Sequence, residues 1–178
     1  LDGARQSFIS GHDGRFFIDP ELISTVEVVR GPASSLYGSG AVGGVLAFET
    51  VDAADLLRDG ESYGARVRAG YQSVNEETFA SFTAFGVHGN LDAVASLSLR
   101  NSGDIELGSG ASLPSDDDIS SGLVELGYQF TEALRGELSW QGFSNSAIEP
   151  NNGQGTGNSG DPTLDRDVEK DIASDTFI

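Results

Sequence analysis

The chain of 178 residues has no cysteine and no methionine, and only ten lysines and arginines against 28 aspartates and glutamates. Each shortage excludes something. Without cysteine there is no disulfide framework and no thiolate metal centre. The formal charge of −18 argues against a nucleic-acid partner, because a phosphate-binding surface needs a basic patch. No apolar run approaches the ~18 residues of a membrane helix, and no basic-then-apolar leader opens the chain. A transmembrane β-strand is not excluded, since it needs only about 9–11 residues of alternating character. The lack of Met at position 1 gives the expectation of a processed or truncated chain. Neither G-x-S-x-G nor H-E-x-x-H occurs, and there are two histidines, so no enzyme is expected. The many carboxylates leave a carboxylate-pair hydrolase open on inventory alone.

What is abundant is glycine, at 24 residues. Gly38-Ser39-Gly40-Ala41-Val42-Gly43 is a literal G-x-G-x-x-G, the pattern of dinucleotide-binding turns. That motif works where the glycines end a strand and open a helix whose N-terminus meets a pyrophosphate. Here the apolar run Val26–Val29 stops at Arg30-Gly31-Pro32, and Ala33–Tyr37 reads as a short helix with Pro32 in its first turn. After the glycines comes Val45-Leu46-Ala47-Phe48-Glu49-Thr50, which is β-branched, aromatic and strand-like. With no helix following, the glycines read as a corner that permits tight turns and close backbone approach.

The two parts of the chain differ in period. Residues 1–50 mix short strands, a helical turn and Gly-rich corners, with Asp19 as N-cap and Pro20 at the first helical position of a further helix start. Residues 51–61 read as a polar connector. From Ser62 the period becomes two. Tyr63, Ala65, Val67, Ala69 and Tyr71 share one strand face; Leu91, Ala93, Ala95, Leu97 and Leu99 share another, opposite Asp92, Val94, Ser96, Ser98 and Arg100. Val124, Leu126, Tyr128 and Phe130 alternate with Glu125, Gly127 and Gln129, and Leu138 and Trp140 with Glu137, Ser139 and Gln141. Phe79, Phe82 and Phe85 blur the faces of Glu77–His88, and a last strand begins near Ala173. After a short first turn at 73–76 the connections alternate: Gly89-Asn90 short, 104–118 long, 131–134 short, 144–171 long. Outer-membrane barrels alternate in this way between short periplasmic turns and long extracellular loops, and the aromatics Tyr63, Tyr71, Tyr128 and Trp140 suit a girdle. A soluble sandwich with one wet face would show the same alternation.

Val26-Glu27-Val28-Val29-Arg30-Gly31-Pro32, followed by Leu36-Tyr37-Gly38, Ala41 and Gly43-Gly44-Val45, resembles the end of the plug domain of a TonB-dependent outer-membrane receptor. The stretch 33–45 and the later Thr50–Leu57 are similar to the heme and hemoglobin receptor branch of that family. The resemblance implies a mainly β fold: residues 1–57 as the C-terminal, mixed α/β part of a plug, and 58–178 as the first five or six antiparallel strands of an incomplete transmembrane β-barrel. Receptors of this kind are closed barrels of about 22 strands around a plug. The implied function is import of a scarce ligand across the outer membrane of a Gram-negative bacterium, with heme or a heme protein as cargo. A siderophore or cobalamin cargo in the same class is one alternative; a soluble acidic β-domain acting as an adhesin or binding module is another. The implied partners are outer-membrane lipid and TonB, the latter through a segment this chain lacks, with no permanent cofactor.

Candidate residues follow from that reading. His12, in Gly11-His12-Asp13-Gly14, is the candidate heme ligand, since a neutral imidazole is a good axial ligand and Asp13 could fix its tautomer; a solvated loop histidine is the alternative. His88, at the Gly89-Asn90 turn, is expected on the surface. Glu27 and Arg30 on the plug side, and Glu125 and Glu137 on the polar face of the strands, are candidates for plug–barrel docking, where buried charge pairs give specificity at little net stability. Gly31, Pro32, Tyr37, Gly38, Gly40, Gly43 and Gly44 form the structural motif of the corner. Asp116-Asp117-Asp118 and Asp161, Asp165 and Asp167 lack the EF-hand spacing and are expected in solvated, flexible loops.

Overall fold

A computed structural model describes residue 2 and residues 18–39, 41–110, 112–150 and 167–178. The described N-terminal segment is built on one hairpin. A single 3-10 turn, Pro20–Leu22, is capped by Asp19, whose side chain accepts from the Glu21 amide at 2.9 Å. It leads into β1 (Ile23–Arg30), which pairs antiparallel with β2 (Gly44–Thr50). Between them, one helical turn, α1 (Ser34–Tyr37), ends at Gly38, whose φ of +84° favours glycine. The order strand, helical turn, glycines, strand is the one expected, and no helix opens after Gly43. A second turn, α2 (Ala53–Leu56), follows β2 with Asp52 and Asp55 in a capping box.

The rest is one antiparallel meander. Strands β3 (Tyr63–Gln72), β4 (Glu77–His88), β5 (Leu91–Ser102), β8 (Asp116–Thr131), β9 (Leu134–Pro150) and β10 (Asp167–Phe177) form a six-stranded sheet in which each pairs with the next. A small hairpin, β6 (Ile105–Glu106) and β7 (Ser112–Leu113), occupies the connection between β5 and β8. The strands near the long connections extend further than expected from the alternation. Asp116 to Asp118 lie within β8, paired with Ile148, Ala147 and Ser146, rather than in a flexible loop. Two of the carboxylates are satisfied there: Asp117 accepts from the Asn145 amide at 2.8 Å, and Asp116 from the Ile148 backbone N–H at 2.9 Å. Asp167 starts β10, while Asp161 and Asp165 lie outside the described residues.

The sheet is inside-out relative to a soluble protein. One face carries buried Ser81, Thr83, Ser96, Ser98, Ser121, Glu125, Ser139, Gln141 and Asn145. The other exposes Tyr63, Val67, Phe82, Leu97, Val124, Leu126, Tyr128 and Leu138, with Val67 at 73% and Leu138 at 71%. A soluble sheet buries its apolar face; this one hides hydroxyls and carboxamides and offers hydrocarbon to its surroundings, as a lipid-facing wall does. On β10 the outer face turns acidic at Asp171 and Asp175, level with Ser146 and Gly142, where the outer face of β9 also becomes polar; Asp175 accepts from the Trp140 indole at 3.2 Å.

Close approach explains two of the glycines. Gly64 and Gly70 of β3 stand opposite Phe85 and Phe79 of β4, and a Cβ on either would run into the facing ring. This settles the blurred strand: Phe79 and Phe85 lie over the glycines on the inner face, with the Arg100 guanidinium 5.2 Å from the Phe79 ring centre, while Phe82 points outward.

Candidate functional site

The N-terminal segment sits on the polar face, and where it touches the sheet is the candidate site. Its apolar part is small. Leu22, Val51 and Ala53 are buried against Val94 of β5 and Leu123 of β8, with Ile18, Leu56, Phe85 and Val87 at the margin. Val94 and Leu123 are buried apolar residues on a largely polar face, and with Phe85 and Val87 they form the apolar patch on which the segment docks. The Val51 N–H donates to the Leu22 carbonyl at 3.0 Å, so the base of the hairpin is closed where it meets the sheet.

Two polar ties flank this patch. In the first, the Ser98 hydroxyl donates to Asp19 at 2.7 Å, and Arg68 pairs with Glu21 at 2.5 Å. Arg100 bridges Glu77 of its neighbour strand and, at 3.9 Å, Asp19. In the second, Arg135 at the start of β9 meets three carboxylates: Asp92 at 2.7 Å, Glu137 at 3.2 Å and Asp52 of the segment at 3.3 Å. Gly127 makes room for this group, because a Cβ there would strike the Arg135 guanidinium and the Asp92 carboxylate. Beside it, Glu125 is only 2% exposed. Its Oε2 lies 3.1 Å from the Thr50 hydroxyl, and that hydroxyl is also 3.1 Å from Asp2, which caps the Thr50 amide at 2.7 Å. Glu125 Oε1 is buried with no hydrogen-bond donor among the described residues. Burial alone would raise the Asp52 carboxyl, but its contacts with Glu125 and Arg135 and the Arg135 charge prevail and hold it below its ordinary value of 3.8.

Two of the four docking candidates from the sequence, Glu125 and Glu137, stand in this second tie. The cation among them is Arg135 of the sheet itself rather than Arg30. Glu27 and Arg30 lie exposed on β1 and make no ion pair among the described residues. Of the corner residues, Gly31 and Gly38 have positive φ, and Gly44, also at positive φ, has the Val29 carbonyl where a Cβ would stand; Pro32, Tyr37 and Gly43 complete the described corner, and Gly40 lies outside the described residues. His12 also lies outside them. His88 is exposed at the end of β4, beside the two-residue turn. Asp52, Asp92 and Arg135 were missed. The signal for Asp92 and Arg135 was in the register: alternation puts Asp92, Gly127 and Glu137 on one row of one face, with Arg135 two residues from Glu137.

Residues 1–45 match the family model described as TonB-dependent Receptor Plug Domain. The chain belongs to the TonB-dependent receptors. It is 40% identical over 154 residues to a hemin receptor of Yersinia pestis, covering 86% of this chain and 23% of that protein. It is 35% identical over 155 residues to a heme/hemopexin utilization protein C of Haemophilus influenzae, covering 86% and 21%. In solved structures it resembles the FrpB iron transporter from Neisseria meningitidis (F5-1 variant), with a TM-score of 0.70 and 31% identity over 80% of this chain and 23% of that one. The receptor chain therefore spans under a quarter of the length of these relatives. Within this family the fold reads as plug segment on barrel wall, with the barrel not closed by these six strands.

Proposed function

We propose that the whole receptor imports heme, taken free or from a heme protein, across the outer membrane of a Gram-negative bacterium. Residues 1–57 close its plug and residues 58–178 begin its wall. The observation that carries the membrane part is the inverted sheet: hydrocarbon outward, hydroxyls and charges inward against the plug segment. The same inversion counts against a soluble adhesin or binding module, which would show its polar face to water. The heme part rests on the relatives named for hemin and heme.

In this reading Glu125 and Glu137 dock the plug through Thr50, Asp52 and Arg135. Glu27 and Arg30 dock it against wall strands beyond this chain. TonB pulls through a segment that this chain does not contain. Heme is cargo, not a resident cofactor, and His12 is its proposed plug-side ligand. The test is a heme titration of the full-length receptor in detergent. Heme import predicts a Soret band that shifts on binding, and His12→Ala should abolish or move that shift. An unchanged spectrum in the variant would remove His12 from the account; no binding by the wild type would remove heme. The likeness to an iron transporter favours a second reading, another iron-bearing cargo such as a ferric siderophore, which would compete in the same titration.

A further inference from the structure

At the seam between plug and wall, hydrogen atoms are too few for the oxygens that meet there. The Thr50 hydroxyl has one hydrogen, yet it lies 3.1 Å from Asp2 Oδ2 and 3.1 Å from Glu125 Oε2. Asp2 already holds the Thr50 backbone N–H through its Oδ1 at 2.7 Å, so its second oxygen is placed to take the hydroxyl hydrogen as well. The Glu125 carboxyl also stands in hydrogen-bond contact with that of Asp52. With all three acids ionised, a single hydrogen serves three oxygen–oxygen contacts, and the other two set lone pair against lone pair. No cation relieves Glu125: Arg135 pairs with Asp52, Asp92 and Glu137, and Glu125 has no ion pair among the described residues. Glu125 is also the most deeply buried of these acids, and its Oε1 has no donor among the described residues. An unpaired anion there carries a large desolvation cost; a neutral acid, whose O–H is itself a donor, does not. Asp52 is held ionised by Arg135 and is the acceptor of the pair.

We propose that Glu125 is a neutral carboxylic acid in the seated receptor and holds the plug as a hydrogen-bond donor, shared between Asp52 and the Thr50 hydroxyl oxygen. Seating takes up one proton from solvent; unseating uncovers Glu125 and returns it. The charged groups facing this carboxyl are Asp2 and Asp52 of the plug, Asp92 of β5, and Arg135 and Glu137 of β9, four acids against one base. Because the proton is bound in the seated state and released from the unseated one, the Glu125 contribution to seating is full in acid and is lost as the pH rises. This inference rests on the plug-and-wall reading of the fold and is independent of the cargo.

Infrared difference spectra of the full-length receptor in detergent and D₂O, wild type minus Glu125→Gln, read the proton directly, since a neutral carboxyl has a C=O stretch apart from the carboxylate bands. The wild type should show such a band at neutral pH, the variant should lack it, and it should disappear reversibly as the wild type is titrated to alkaline pH. Scanning calorimetry reads the consequence: between neutral and alkaline pH the melting temperature of the wild type should fall further than that of Glu125→Gln, which has no proton to lose. A wild-type spectrum with no neutral-carboxyl band that Glu125→Gln removes would overturn the proposal, and so would equal falls in melting temperature. The band reports on Glu125 whichever face of the sheet meets lipid, so its absence is a separate result from a failure of the plug-and-wall reading, which lipid exposure of the outer face decides.

Discussion

Replacing Arg135 by alanine probes how the plug segment is held. Only one of the three Arg135 ion pairs, that with Asp52, crosses from wall to plug; Asp92 and Glu137 belong to the wall. The Arg135 side chain is about one-third exposed, so the crossing pair contributes about 1 kcal/mol to seating rather than the larger figure of a fully buried pair. Removing Arg135 also leaves Asp52 facing Asp92 and Glu137 with no cation between them, a repulsion of about another 1 kcal/mol that unseating relieves. The sum, about 2 kcal/mol, corresponds to about a thirty-fold rise in the unseated population. Asp52→Asn removes the pair without creating the repulsion and should cost about 1 kcal/mol, about five-fold. The double variant should therefore resemble Asp52→Asn, not the product of the two. Ser121 offers a reporter: it is buried on the inner face, its hydroxyl has no partner among the described residues, and the chain has no cysteine of its own. Maleimide labelling of Ser121→Cys in the full-length receptor reads the unseated population. A multiplicative double variant, or an Arg135→Ala rate within two-fold of wild type, would refute the reasoning.

Other expectations follow from the same contacts. Leu123→Ala opens a cavity beneath Leu22, Val51 and Ala53 and should weaken docking by about 2–4 kcal/mol, again read by labelling at position 121. Gly70→Val drives a side chain into the Phe79 ring and should lower the unfolding midpoint in denaturant, at a cost of about 1–3 kcal/mol. Leu138→Arg places a charge on the outward face and should destabilise the receptor in liposomes by about 2–4 kcal/mol, while Leu138→Phe should leave the refolding equilibrium nearly unchanged.

Much of the wall is legible in the sequence because a period of two survives there. Tyr63 to Tyr71 and Leu91 to Leu99 declare their faces by themselves. The direction of burial was not legible: alternation says that two faces differ, not which one is hidden, and only the plug segment lying on Ser98, Leu123 and Glu125 shows that the polar face is inside. Phe79 and Phe85 broke the pattern because an aromatic can face the interior where a glycine across the strand leaves it room, and such pairing depends on register. The acidic run 116–118 read as loop because its composition is loop-like, yet ladder pairing to β9 and local donors hold it in a strand. At the docking site, Glu125 and Glu137 could be chosen from their face alone. Asp52 looked like part of a polar connector, since nothing local to it announces that Val51 and Ala53 beside it are buried. Arg135 stands at a strand end, where alternation is weakest.

The central claim is that the sheet is a wall with lipid on its apolar side and the plug on its polar side. A nitroxide scan along β5, residues 91–100 of the full-length receptor in liposomes, tests it most directly. A period of two is expected: collision with dissolved oxygen high at 91, 93, 95, 97 and 99, as for lipid-facing sites, and low at 92, 94, 96, 98 and 100 beneath the plug. Loss of the alternation, or high oxygen collision at Val94, Ser96 and Ser98 instead, would contradict it.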